Sequence, residues 1–226
     1  MADLLPLFLN LTGRSVVLVG GGPVATAKLR QLLAAGAHVR VIAPEMTDEI
    51  RNRRPPSVTI ALRPFEPADL DEAWLVVAAA TPEVNRQVAD VAEKRRIFVN
   101  AVDDPANATA FLGGVVRRDG VTLAISTSGD APALTSLLRE GLDALLPRDL
   151  ASWMWQARAA RVAWRRQGVP MAARKPRLLQ ALNALYPEDS SETTAHAEKN
   201  ILAIPVGVAV ERPRVPWLNG PEDSWL

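Results

Sequence analysis

A glycine-rich segment, Gly20 to Ala25, is where this sequence could hold a phosphate-bearing cofactor. It has the form G-x-G-x-x-A, and it lies between a short apolar run that begins at Ser15 and a helical pattern. In that context Gly20 permits a tight turn, Gly22 lets the backbone approach a pyrophosphate, and Ala25 allows close packing of helix on strand. The N–H groups at the helix start would then meet the phosphates. The segment predicts dinucleotide binding; the alternative is a tight turn that binds nothing.

Two acids, Asp103 and Asp104, follow an apolar run that we predict to be the fifth strand of a parallel sheet. Ligands of such sheets bind outside the carboxyl ends of the strands, so a carboxylate there is a candidate general base. Position alone leaves an alternative, in which one of the two acids caps a turn before Pro105. The chain has no cysteine, and its histidines, His38 and His196, are far apart. Acid–base chemistry is therefore expected from carboxylates.

The end of the second predicted strand bears on the choice of dinucleotide. The acid that usually binds the adenosine ribose would stand near Ala43, and Glu45 comes slightly later. A carboxylate at Glu45 could still reach a ribose hydroxyl, and it would repel a 2′-phosphate. NAD is therefore favoured over NADP.

The composition excludes several other classes of protein. The chain has 226 residues, of which 48% are hydrophobic and 23% charged, the balance of a globular protein in water. The absence of cysteine excludes disulfides, thiolate nucleophiles and the usual structural zinc sites, and no metal site is predicted. No apolar run reaches the roughly 20 residues of a membrane span, and no signal peptide is recognisable. We expect a cytoplasmic protein with no membrane partner.

A basic stretch runs from Arg148 to Arg177, where eight cationic residues are opposed by one acid, Asp149. Such a stretch could attract a polyanionic ligand, or it could be a solvated helix face. No DNA-binding helix-turn-helix is recognisable, and no nucleic-acid partner is predicted.

The order of predicted elements indicates an α/β fold. Strands are predicted at residues 15–20, 38–43, 58–62, 74–80 and 97–102, with helices at 24–36 and 82–96. Alternating strands and helices imply a parallel, Rossmann-like sheet. A β-hairpin follows at 111–116 and 121–126, turning at Asp119-Gly120, and helices are predicted at 133–145, 150–167 and 176–185. We predict a Rossmann domain at 1–110, a hairpin-and-helix dimerisation segment at 111–147 and a helical domain with an irregular tail at 148–226.

Four segments in this order and spacing resemble one family. They are Gly20-Gly-Gly-Pro-Val-Ala-Thr-Ala-Lys28, Gly36-Ala-His-Val-Arg-Val-Ile-Ala-Pro44, Asn100-Ala-Val-Asp103 and Ser126-Thr-Ser-Gly-Asp-Ala-Pro132. Together they are similar to the precorrin-2 dehydrogenase/sirohydrochlorin ferrochelatase family, the N-terminal module of bacterial siroheme synthase. The resemblance runs from about residue 5 to 146 and is weaker beyond.

The resemblance implies NAD-dependent oxidation of precorrin-2 to sirohydrochlorin, a carboxylate-rich tetrapyrrole. In this family ferrous iron is often inserted afterwards, and the protein is a homodimer whose interface includes the hairpin and helices. The family's catalytic aspartate falls on Asp103, and its substrate-holding asparagine on Asn100. Its cofactor contacts fall on Pro23 and Val24, on Pro44 and Glu45, and near Thr81.

Further substrate contacts are predicted around the hairpin. The second hydroxyl of the family's Ser-Ser pair falls on Thr127, and Ser126 and Ser128 flank it. These hydroxyls could bind a carboxylate at the following helix start, or they could cap that helix. Arg117 suits a substrate carboxylate, although hairpin turns also carry exposed arginines.

Two other classes of function stay open at this point. One is an NAD(H)-binding redox-sensing regulatory protein that performs no catalysis, against which Asp103 argues. The other is a dimerisation module that has lost its ligand, against which the intact glycine segment argues. Whether iron is inserted, and whether a different metal would be, is not decided by the residues.

Overall fold

The computed structural model describes residues 4–52 and 56–186. The described residues fold into two compact units, one of residues 4–52, 56–114 and 124–137 and the other of residues 115–123 and 138–186. These units do not follow the three predicted domains, which stay a prediction. The predicted irregular tail and His196 lie outside the described residues.

The first unit contains a five-stranded parallel sheet. Its strands are β1 (Ser15–Val19), β2 (His38–Ile42), β3 (Val58–Ala61), β4 (Leu75–Ala78) and β5 (Phe98–Ala101). Their order across the sheet is β3-β2-β1-β4-β5, and all neighbouring strands are parallel. The strands β1 to β3 extend the sheet to one side and β4 and β5 extend it to the other, so the topological switch point lies between β1 and β4. All four residues of β4 are buried, as expected for a central strand covered on both faces.

Helices cover both faces of this sheet because its side chains alternate between two apolar clusters. The helix α1 (Pro23–Ala34) packs Leu29 and Leu32 over Val16 and Leu18. A short helix, α2 (Asp48–Asn52), follows β2. The helix α3 (Pro82–Arg95) packs Val88 over the opposite face. The predicted α/β, Rossmann-like fold is confirmed.

After the sheet the chain forms a hairpin and three helices. The hairpin strands are β6 (Gly114–Arg118) and β7 (Val121–Ile125), which turn at Asp119 and Gly120, both with positive φ. The helices are α4 (Pro132–Leu145), α5 (Leu150–Arg166) and α6 (Met171–Asn183). No helix of the described residues is long and apolar enough to cross a membrane.

Apart from shifts of one or two residues, the structure differs from the predicted elements in one helix that was missed and in two starting positions. The helix α2 was not predicted, because five residues are too few to show a helical period. The first hairpin strand begins at Gly114 and not at residue 111. The helix α6 begins at Met171, and Pro176, which predicted its start, lies inside it. Because proline is common in the first turn of a helix, its position led to a predicted start that is five residues too late.

A buried tyrosine joins the ends of the helical region in the second unit. The Tyr186 hydroxyl donates to the Asp149 carboxylate at 2.6 Å and accepts from Trp153 Nε1 at 2.7 Å. Burial and the Asp149 bond raise the pKa of the Tyr186 phenol. Trp153 thus packs against Tyr186, whereas Trp155 is exposed.

Candidate dinucleotide and substrate site

The glycine turn is clamped between the ends of β4 and β2. Gly20 has φ +126°, and a Cβ there would lie 2.1 Å from the carbonyl oxygen of Ala79. A Cβ at Gly21 would lie 2.0 Å from the carbonyl oxygen of Glu45. Side chains at either position would collide with backbone, so both glycines are needed by the fold itself.

Gly22 is different, because a Cβ there would meet nothing within 4 Å. It precedes α1 with an ordinary extended backbone, φ −79°, and no side chain caps the helix. Pro23 has no N–H to offer, and the first helical bond runs from Thr26 N to Gly22 O at 3.0 Å. The N-terminus of α1 thus opens onto unfilled space, which fits a pyrophosphate. Ala25 is fully buried, as close packing of the helix requires.

The other residues predicted to contact the dinucleotide are exposed at the same carboxyl edge of the sheet. Pro44 and Glu45 follow β2, and Thr81 precedes α3 with φ −71° and ψ 158°. The Glu83 backbone N–H and the Thr81 hydroxyl, both bonded to the Glu83 carboxylate, hold the pKa of that carboxyl below its usual range. Val24 is also exposed, beside Pro23.

Asn100 is a buried polar residue near the end of β5. It pairs in register with Val77, which places it on the α1 side of the sheet. Its Nδ2 donates to the carbonyl oxygen of Ala110 at 2.9 Å, whereas its buried Oδ1 has no hydrogen-bond partner. An unsatisfied acceptor of this kind costs about 1–3 kcal/mol unless a ligand donor reaches it.

The two acids after β5 have different surroundings. Asp104 Oδ2 accepts from Asn107 Nδ2 at 2.7 Å, so Asp104 takes part in the turn that follows. Asp103 is exposed and has a left-handed backbone, φ +57°. Asp104 thus bonds within the turn, although its side chain makes no capping bond to the backbone of the short helix that follows, whereas the carboxylate of Asp103 is exposed.

The segment Ser126 to Ser128 lies close to the turn after β5. A Cβ at Gly129 would be 3.0 Å from Pro105 Cγ, so the two loops are in contact. The Thr127 hydroxyl accepts from Ala131 N at 3.2 Å, and it is hydrogen-bonded to the hydroxyl of Thr135 in α4 at 2.9 Å. Ser126 Oγ accepts from Ser128 N at 3.1 Å. The hydroxyls of Ser126 and Thr127 thus already have partners in the turn.

Arg117 is exposed on β6 and belongs to the second unit. Its neighbour Arg118 bonds to the carbonyl oxygens of Asp143 and Leu146 and to the Asp143 carboxylate, which ties the hairpin to α4. The structure therefore gives Arg118 a local structural role within the second unit.

Lys28 is a partly buried lysine of α1 to which sequence reasoning assigned no role. It is half-buried on α1, and its Nζ donates to the carbonyl oxygen of Leu112 at 3.4 Å. Burial lowers the pKa of its ammonium, and the negative charge of Asp103 acts in the opposite direction. The signal was present in the sequence, since Lys28 lies three residues after Ala25 and four before Leu32, on the buried face of the helix.

The described residues contain no cluster of histidine, cysteine, aspartate or glutamate that could hold a metal ion. An open groove lies beside the glycine turn and is lined by Pro23, Thr26, Arg30, Thr47 and Glu49. Two of its lining residues, Arg30 and Glu49, form an ion pair, and neither Asn100 nor Asp103 lines it.

The strand order and the glycine turn define a Rossmann-type dinucleotide-binding protein. The family described as putative NAD(P)-binding matches residues 7–114. The chain is 43% identical over 150 residues to siroheme synthase 1 of Aeromonas hydrophila, which covers 66% of this chain and 32% of the relative. It is 38% identical over 176 residues to the siroheme synthase of Baumannia cicadellinicola, covering 73% of this chain and 38% of the relative.

One solved structure is similar over most of its length. SirC, a precorrin-2 dehydrogenase, superposes with a TM-score of 0.61 at 24% identity, covering 79% of this chain and 89% of that one. This likeness supports the fold. The chain spans about a third of the length of the curated relatives that it matches.

Residues 7–114 match the putative NAD(P)-binding family and about two thirds of the chain is similar to siroheme synthases, so the resemblance stated from the sequence is confirmed. The prediction of a nicotinamide dinucleotide as cofactor is confirmed with it.

Proposed function

We propose that this chain oxidises precorrin-2 to sirohydrochlorin with NAD as the hydride acceptor. The observation that carries the proposal is the pairing of two features at one sheet edge. The glycine turn opens onto unfilled space at Gly22, and the end of β5 offers an exposed carboxylate, Asp103, beside a buried unpartnered oxygen, Asn100 Oδ1. The siroheme synthases and the precorrin-2 dehydrogenase to which the chain is similar support this reaction.

The oxidation removes one hydride and one proton from the reduced macrocycle. NAD bound at the glycine turn supplies the hydride acceptor. The protein orients the substrate and takes the proton, and we assign the proton to a carboxylate oxygen of Asp103. Asp103 has a left-handed backbone, φ +57°, directly after β5, and its side chain is exposed there.

Substrate binding falls to the donors and acceptors around β5. Asn100 Oδ1 would accept a pyrrole N–H, which would satisfy the one buried side-chain oxygen that lacks a partner in the described residues. Ser126, Thr127, Ser128 and Arg117 remain proposed contacts to the substrate carboxylates. Because the Thr127 hydroxyl is already bonded in the turn, it would act mainly by shaping the loop.

NAD, rather than NADP, is proposed because of Glu45. Its side chain is exposed at the end of β2, beside the glycine turn into which its own carbonyl packs. A carboxylate at this point suits the two hydroxyls of the NAD ribose and repels the extra phosphate of NADP.

The test is anaerobic incubation of the purified chain with enzymatically generated precorrin-2 and NAD. We expect the absorbance of sirohydrochlorin to appear together with an equal amount of NADH. A protein that binds NADH but turns over no precorrin-2 with NAD or NADP would contradict the proposal and favour the redox-sensing alternative. A protein that binds no dinucleotide would favour the dimerisation module.

Insertion of ferrous iron into sirohydrochlorin is a second proposed activity, with iron as a substrate. It rests on the family resemblance and on Asp103, whose carboxylate could take pyrrole N–H protons. Adding ferrous or cobalt ions to the completed reaction tests it: the absorbance of the metal complex should form faster with protein than without.

A homodimer is proposed because α4 exposes an apolar face. No residue of α4 is buried, and the exposed leucines are Leu134, Leu137, Leu138 and Leu145. A partner copy would cover such a face, as the family resemblance implies. Light scattering should give twice the chain mass of 24.4 kDa, and Leu137→Asp should shift it towards the monomer.

A further inference from the structure

We propose that Thr26 and Thr47 are positioning residues for the cofactor. Their hydroxyls form a threonine bridge that ties the loop after β2 to the glycine turn and keeps the Gly22 N–H free to bind the pyrophosphate of NAD. This inference deepens the proposed function and rests on it for the identity of the ligand. The hydrogen bonds themselves are properties of the folded chain.

The first support is the backbone of the glycine turn. Thr47 N donates to the carbonyl oxygen of Gly21 at 2.9 Å, so that carbonyl points towards the loop after β2. The described residues contain no cis peptide bond, and in a trans peptide the C=O and the following N–H point in opposite directions. The N–H of Gly22, an exposed residue, therefore points away from the loop. Within the described residues it donates to no backbone carbonyl, which leaves it for a phosphate oxygen.

The second support is a chain of hydrogen bonds with a single direction. Thr26 Oγ1 donates to the carbonyl oxygen of Gly22 at 3.0 Å and lies 2.9 Å from Thr47 Oγ1. A hydroxyl carries one hydrogen, so the hydrogen between the two threonines comes from Thr47. Thr47 Oγ1 in turn accepts from Ile50 N at 3.4 Å. The bonds run from α2 through both hydroxyls to the peptide in front of α1.

The third support is the burial of Thr26. Its exposed fraction is 6%, and it follows Ala25 on the face of α1 that packs on the sheet. A hydroxyl in such a place costs free energy unless it is bonded, whereas valine would fill the same space without needing a partner. The bond to Gly22 uses the hydrogen of Thr26, and Thr47 supplies its oxygen with a donor. The bridge joins residues that are 21 positions apart in the chain.

The functional reason is preorganisation. Collisions with backbone restrict Gly20 and Gly21, but a Cβ at Gly22 would meet nothing within 4 Å, so packing alone does not fix the peptide between Gly21 and Gly22. Glycine also has the widest choice of backbone conformations. Hydrogen bonds that hold this peptide before the cofactor arrives reduce the entropy lost on binding. Neither threonine needs to touch the cofactor to do this.

The first experiment measures cofactor binding by calorimetry. Thr47→Val removes the hydroxyl and keeps a β-branched side chain, so the Kd of NAD should rise about fivefold, and so should that of ADP-ribose, which has the same pyrophosphate. Thr47→Ser keeps a hydroxyl and should restore the affinity. The matched control is Thr109→Val, which removes a hydroxyl bonded to Val99 N at 2.9 Å on the edge strand β5. An unchanged Kd in Thr47→Val, or an equal rise in the control, would overturn the positioning role.

A double variant asks whether the two threonines act through one bond. Thr26→Val alone should also raise the Kd of NAD about fivefold. Thr26→Val combined with Thr47→Val should raise it little further, because the first substitution has already removed the shared bond. If the two effects multiply, to about 25-fold, the threonines act independently, and the bridge is not what positions the turn.

A further experiment needs no ligand and separates this inference from the proposed function. The amide signal of Gly22 in NMR, assigned with Gly22→Ala, should be sharp in the unaltered chain and in Thr109→Val. In Thr47→Val it should broaden, because the peptide then changes orientation on the microsecond to millisecond timescale. A sharp, unshifted signal in Thr47→Val would overturn the bridge. If the unaltered chain binds no dinucleotide, the proposed function fails, and the Gly22 signal still decides whether the threonines fix the turn.

Discussion

The glycine turn and the end of β5 lie at the same edge of one sheet, yet they are built in opposite ways. At the glycine turn the decisive feature is missing side chains: Gly20 and Gly21 leave room for backbone, and Gly22 leaves room for a ligand. At the end of β5 the decisive feature is polar side chains: the buried Oδ1 of Asn100 has no hydrogen-bond partner, and the side chain of Asp103 is exposed.

This difference explains what each region can tolerate. Backbone contacts are fixed by covalent geometry, so a wrong residue in the turn damages the fold first and binding second. Side chains at a strand end can be exchanged for similar shapes without damage to the fold, so their loss appears in the chemistry. Substitutions at the two regions should therefore separate stability from rate.

The largest effect is expected at Asp103. Asparagine also adopts the left-handed conformation readily, so Asp103→Asn should fold and bind NAD normally. It should lose about 10²- to 10⁴-fold in kcat, because the proton acceptor is gone. The measurement is the initial rate of NADH formation from precorrin-2, with Asp104→Asn as the control, expected to stay within a few-fold of the unaltered chain. Equal losses in both variants would contradict the assignment of Asp103.

The next effect is on stability, at Gly20. Gly20→Ala adds a Cβ that lies 2.1 Å from a carbonyl oxygen at a φ that only glycine adopts easily, and we expect a loss of about 3 kcal/mol or more. Gly22→Ala is the matched control, since its Cβ meets nothing within 4 Å. Urea denaturation of both variants measures the two free energies of unfolding. Similar losses would mean that the two glycines do not differ in their role.

A smaller effect is expected for Gly22→Val on NAD binding. The branched side chain would stand in the space in front of α1 and keep the pyrophosphate from its N–H groups. The Kd of NAD, measured by calorimetry, should rise about tenfold, which corresponds to about 1.4 kcal/mol. The Tm without cofactor should not change. A normal Kd would place the pyrophosphate elsewhere.

The smallest effect is expected at Glu45. Glu45→Gln removes an exposed charge without changing the shape of the side chain, so the preference for NAD over NADP should narrow by only a few-fold. The ratio of kcat/KM for the two dinucleotides measures it. A ratio that does not move would indicate that another residue selects the cofactor.

The two regions also differ in how far the sequence could predict them. The spacing of Gly20, Gly22 and Ala25 between a strand and a helix has few alternative explanations, because each glycine answers a specific steric demand. The structure adds that the backbone packed against Gly20 is that of Ala79, a contact that no local sequence pattern reveals. The strand order also depends on contacts distant in sequence and follows only from the folded chain.

At the end of β5 the sequence left more open. An acid after a strand can cap a turn or do chemistry, and only the bond between Asp104 and Asn107 separates Asp104 from Asp103. The unpartnered oxygen of Asn100 and the inward position of Lys28 are properties of packing, visible once α1 and the segment after β5 are in place. For Ser126, Thr127, Ser128 and Arg117, the predicted roles stay predictions.

The left-handed backbone at Asp103 has a consequence for how this position can evolve. Glycine, asparagine and aspartate enter that conformation at low cost, and most other residues do not. Of the three, aspartate alone carries a carboxylate. Glutamate, the nearest chemical replacement, adopts the left-handed backbone only at a higher cost in free energy. Few substitutions at this position therefore keep both the backbone conformation and a carboxylate. With Asp103 as the proposed proton acceptor, a lineage that drifts here should pass to asparagine or glycine and lose the proposed activity, instead of adjusting it in small steps.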